Sequence, residues 1–171
     1  MRDPDSADFG PIPAPVVAFA GFLVHSNLFI SLAATSIAFS TMSLLELPPD
    51  PIALFIVFAA AFFVYSLNRI TDIEEDHRNV PGRAAFTERY GLAVFAAGAV
   101  LYLAAIGGAI ALGIPGAPFL VLPAVVAALY SLLRVKQILL VKNLIVGISW
   151  GIIPLGVGIY YEIGLQSEVL L

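Results

Sequence analysis

Ile52–Asp76 reads IALFIVFAAAFFVYSLNRITDIEED, and its change of character at Asn68 decides the fold. No charged residue occurs between Ile52 and Leu67. From Asn68 onward, five of nine residues are charged. An uncharged apolar run of this kind suits the hydrocarbon core of a bilayer, where about twenty residues complete a helical crossing. The polar continuation then marks the point at which the helix reaches the membrane boundary.

The rest of the chain repeats the pattern. Apolar blocks predict five transmembrane helices at about 22–45, 52–76, 91–112, 118–134 and 144–161. Breaks fall where proline and glycine collect, as in Pro48-Pro49-Asp50-Pro51 and Gly113-Ile114-Pro115-Gly116. Strands are not expected, because the blocks lack the alternation of a lipid-facing barrel. The fold class read from the sequence is therefore all-α, a polytopic membrane helical bundle, with one membrane domain over residues 16–171. The acidic, proline-rich stretch 1–15 reads as a disordered tail and lacks the basic start of a secretory signal.

Composition agrees. Hydrophobic residues make up 60% of the 171 and charged residues 12%, against about 25% charged in a typical soluble domain. The net charge of −4 and the absence of a basic patch argue against nucleic acid as a partner. With no cysteine, disulfides, thiolate metal sites and thiol nucleophiles are excluded. The eight basic residues are distributed unevenly. Apart from Arg2, they fall in the second-to-third connection (Arg69, Arg78, Arg83, Arg89) and the fourth-to-fifth (Arg134, Lys136, Lys142). By the positive-inside rule this places the N-terminus and both basic loops in the cytoplasm, in a multi-pass protein of the cell membrane. Glycines at 98, 107, 108, 147, 151, 156 and 158 suggest close helix packing. His25 reads as an interfacial or internally bonded histidine.

Asn68, Asp72 and Asp76 are four residues apart. On a helix each such step turns only about 40°, so the three side chains share a narrow arc, together with Tyr65. Two carboxylates stacked one turn apart repel unless a cation lies between them. An oxygen-rich set of this kind suits Mg²⁺, which draws its remaining ligands from water and substrate phosphates. Arg78 and Arg83 follow closely and are suited to bidentate contact with phosphate oxygens. Tyr130 and Arg134 share a face at the end of the fourth helix, with Lys136 and Lys142 beyond. Spacing alone equally allows an ordinary solvated loop for the first cluster and a membrane-side anchor for the second. The first reading gains weight because its acids begin inside helical register at the membrane boundary, where ionisable groups are costly.

These residues resemble the UbiA-type intramembrane prenyltransferases. The family's first aspartate-rich motif is matched by Asn68, Asp72 and Asp76, and its Asn-Pro-Arg continuation by NVPGR at Asn79–Arg83. Its Tyr with a basic residue four on is matched by Tyr130 and Arg134, with Arg for Lys. KNLIVG at Lys142–Gly147 is also similar. The resemblance implies Mg²⁺-dependent transfer of an isoprenyl group from a prenyl diphosphate to a lipophilic acceptor in the bilayer. Asn68, Asp72 and Asp76 would be the catalytic and metal-binding residues. Arg78, Arg83, Tyr130, Arg134 and Lys136 would bind diphosphate. The chain departs from the pattern in two ways. Arg69 stands where many members have Asp, and no second Asp-x-x-x-Asp follows. It resembles the first half of a nine-helix fold, so the expectations are a truncated member, pairing with a separate second half, or self-association. The alternative function is a non-catalytic membrane protein that binds prenyl diphosphate or an anionic lipid.

Overall fold

The computed structural model describes residues 12–132 and 139–163. Among them every regular element is helical, and seven α-helices and one 3-10 turn follow one another. The first two helices, α1 (Ala14–His25) and α2 (Leu28–Leu44), are separated by a 68° bend. At that bend Asn27 takes a left-handed conformation, φ 67°. Asn is one of the few residues whose short side chain tolerates it. The single helix expected over 22–45 is thus two, and the first begins inside the expected tail.

Asp50 starts α3 (Pro51–Thr71): its carboxylate accepts from the Ile52 backbone N–H at 2.8 Å, and Pro51 fills the first helical position. At about 1.5 Å per residue, α3 is long enough to cross the hydrocarbon core. The helix expected over 52–76 breaks at Asp72 (φ −105°, ψ 9°) and resumes as α4 (Ile73–Asn79). The break is shallow. Asp72 N–H still donates to Asn68 O at 3.0 Å, and Asp76 N–H to Asp72 O at 2.9 Å.

Pro81 then opens α5, which runs 31 residues to Ala111. It begins ten residues before the helix expected from 91. The first turns are polar, so hydropathy alone could not register them, although Pro81 suits a helix start. Gly113 and Gly116, at φ 64° and 75°, shape the return. A 3-10 turn (Ala117–Val121) leads into α6 (Leu122–Leu132), and α7 (Leu139–Tyr160) follows with Pro154 inside it. By length and apolarity α3, α5 and the Asn143–Tyr160 part of α7 qualify as spans, and the bent α1–α2 pair makes up to four. In place of the single helix expected over 118–134 stand the 3-10 turn and α6, and residues 133 and 134 lie outside the described residues. This is a helical membrane bundle.

Small residues let α3 approach its partners. Ala59 of α3 is buried against Ala105 and Ala109 of α5 and Ala117 of the 3-10 turn. On the other side, Ala38 and Met42 of α2 meet Ala53 of α3 and Val157 of α7. Gly98 has Phe63 backbone so close that a Cβ would lie 3.2 Å from its Cα. Gly158 is also buried, whereas Gly107, Gly108, Gly147, Gly151 and Gly156 face open space.

Candidate functional site

The polar motif that follows Asn68 lies where α3, α4 and α5 meet the α1–α2 bend. Asp76, in the short α4, is only 3% exposed. Arg83, one turn into α5, grips it with both nitrogens: Nε donates to Oδ2 at 2.8 Å and Nη2 to Oδ1 at 2.5 Å. This is the bidentate guanidinium–carboxylate fork. Arg69, in the last turn of α3, adds Nη1 at 3.8 Å from Oδ2. Its Nε donates at 3.2 Å to Oδ1 of Asn27, itself 2% exposed. Asn27 in turn accepts from the Ser31 hydroxyl at 2.8 Å through its backbone carbonyl. A continuous polar chain thus runs from the α1–α2 bend through α3 and α4 into α5.

Asn68 and Asp72 lie one turn apart at the end of α3, with Asp72 accepting from the Thr71 hydroxyl at 3.2 Å. Tyr130, half-buried on α6, lies within electrostatic reach of Asp72 and Glu75. Arg78 is exposed and donates from Nε to the Glu74 carbonyl at 3.4 Å. His77 and Glu88 form a second, exposed pair at 3.0 Å between α4 and α5. Arg134 and Lys136 lie outside the described residues. His25, at the end of α1, sits edge-on to Phe86 with ring centroids 5.9 Å apart.

The implied magnesium ion meets a difficulty here. Mg²⁺ needs carboxylate oxygens that can turn to it. Both oxygens of Asp76 are engaged by Arg83, with Arg69 as a second cation beside them. Among the described residues, no three His, Cys, Asp or Glu side chains form a group that could hold a metal ion. Asn68, Asp72 and Asp76 as arranged do not fit a metal as one ligand set.

Several of these contacts were invisible to spacing. Asn27 is the only carboxamide in the first apolar block, and that is the signal that would have marked it. Tyr65 shares the Asn68 arc, and its hydroxyl accepts from Trp150 Nε1 of α7 at 3.1 Å. A lone Trp in an apolar helix gave no hint of that.

The sequence model of the UbiA prenyltransferase family matches residues 14–171. The chain belongs to that family. The match takes in every described helix and both basic connections of the sequence. Family membership supports an integral membrane protein with a prenyltransferase-type function in general. No curated protein and no solved structure matches the chain.

Proposed function

We propose that this chain is a prenyltransferase that moves an isoprenyl group from a prenyl diphosphate to a lipophilic acceptor within the bilayer. The observation that carries the reading is the family match over a chain whose polar motif, Asn68 to Arg83, sits at the end of an apolar span. In the reaction the allylic C–O bond breaks and its electron pair leaves on diphosphate. The carbocation is captured by an electron-rich carbon or oxygen of the acceptor, which then loses a proton. Arg78, Tyr130, Arg134 and Lys136 are the groups we assign to the diphosphate, where cations and hydroxyl donors offset the charge that develops on leaving. Asn68 and Asp72 shape the polar rim. The surrounding apolar helices exclude water that would otherwise quench the cation. Magnesium dependence and a cytoplasmic site in the cell membrane follow from the resemblance and the charge bias, and belong to the same proposal.

The test is transfer from labelled geranylgeranyl diphosphate by membranes bearing the chain, with and without Mg²⁺. Label should appear in lipophilic product with Mg²⁺ and fall to background in Asp72→Ala. Equal transfer by the parent and by Asn68→Ala with Asp72→Ala would refute the assignment. A second reading, binding of prenyl diphosphate or an anionic lipid without turnover, is favoured by the engagement of Asp76 with Arg83. Mg²⁺-dependent retention of the label without transfer would select it.

A further inference from the structure

We propose that Asp76 is a structural anion that locks Arg83 and Arg69 in place, and that it stays outside the ligand shell of any metal bound at the site. Three observations point the same way. The Asp76 carboxylate is almost fully buried, and both its oxygens are bonded to Arg83. Arg69 occupies the position after Asn68 and reaches the same carboxylate. The other end of Arg69 is tied to buried Asn27 at the bend between α1 and α2. Two cations share one anion, so Asp76 has no surplus negative charge to offer a third. Turning it toward a divalent ion would strand two half-buried guanidinium groups, each 23% exposed, and a buried charge without its partner is costly. The carboxylates remaining on the α6-facing side are Asp72 and Glu75, both felt by Tyr130.

The metal part of this inference rests on the proposed site, whereas the lock itself does not. The test therefore has two arms on the purified chain in lipid nanodiscs. Thermal unfolding reads the lock. Asp76→Asn and Arg83→Gln should each lower the midpoint by roughly 5 °C or more. The double variant should melt no lower than Asp76→Asn alone, because it removes the Arg83 charge that the single leaves unpaired while Arg69 is in the same state in both. Strictly additive shifts would overturn the lock. Where a single variant yields no folded chain, the double decides: a folded double supports the lock and an unfolded double overturns it. The second arm reads Mn²⁺ uptake by electron paramagnetic resonance in the presence of inorganic diphosphate. The double variant should bind Mn²⁺ as tightly as Arg83→Gln alone, and Asp72→Asn should weaken the affinity of the parent at least about tenfold. Loss of Mn²⁺ from a folded double variant but not from Arg83→Gln would make Asp76 a ligand and sink the inference. A parent chain that takes up no Mn²⁺ would count against the proposed metal-dependent reaction, and the melting comparison would still decide the lock.

Discussion

Asn27 combines a positive φ with a buried side chain that holds Arg69, so its two properties can be separated by substitution. Asn27→Gly keeps the backbone conformation and loses the acceptor. Asn27→Ala loses both, and a side chain without the local hydrogen bonding of Asn costs about 1–2 kcal/mol in that conformation. Both variants should unfold more readily than the parent, with Asn27→Ala lower by a few degrees in a thermal melt; equal midpoints would show that backbone conformation contributes nothing there. The residue scale is also where sequence reading reached its limit. The spacing of Asn68, Asp72 and Asp76 was legible, and the ladder bonds across Asp72 preserve it. What spacing could not show is that Asp76 pairs with Arg83 of the same chain. Arg83 lies seven residues from Asp76 in sequence, and the turn at Val80 between α4 and α5 brings them together.

At the scale of elements, the start of the apolar α3 was readable and the polar start of α5 was not, although proline opens both. Asp50-Pro51 announced α3, whereas the first ten residues of α5 looked like loop because they are charged. Two predictions belong here. Gly98 faces the backbone of Phe63, so Gly98→Ala should destabilise by about 1–3 kcal/mol through overpacking. Gly107→Ala, facing open space, should stay within about 0.5 kcal/mol of the parent. Chemical unfolding in mild detergent separates the two, and equal costs would contradict the packing described. The other prediction concerns the opposite end of the bundle. Tyr160 donates to Asp50 at 2.7 Å and Tyr161 to the Pro48 carbonyl at 2.5 Å, joining α7 to the α2–α3 connection. The Tyr160 hydrogen bond, assisted by the Ile52 and Ala53 backbone N–H groups against some loss of hydration, holds the Asp50 carboxyl below its ordinary value. A lowered carboxyl contributes stability that is complete above the unfolded value of about 3.9 and is lost as pH falls through the folded one. The melting gap between the parent and Asp50→Asn, which keeps a capping side chain, should therefore be widest near neutral pH and close below pH of about 3.

At the scale of the whole molecule, composition was enough for the class: so apolar a chain has no solution as a soluble globule. The bend in the first span was not legible, because hydropathy averages over Ser26 and Asn27. Self-association of the chain makes a direct prediction. The chain has no cysteine, so a single Gly151→Cys on the open face of α7 reports contacts cleanly. Disulfide-linked dimer in oxidised membranes would support the second copy, and monomer at every loading would remove it in favour of a different partner. The reach of the contacts around Asp76 also bears on how the protein is made. Asp76 and Arg83 are seven residues apart, while Asn27 and Arg69 are 42 apart. Closing a short loop costs less chain entropy and happens sooner than closing a long one. The turn joining α3 to α5 can therefore neutralise its own acid as soon as it leaves the ribosome. The Asn27–Arg69 contact, which ties the bent first span to α3, closes the longer loop and carries the larger entropic cost.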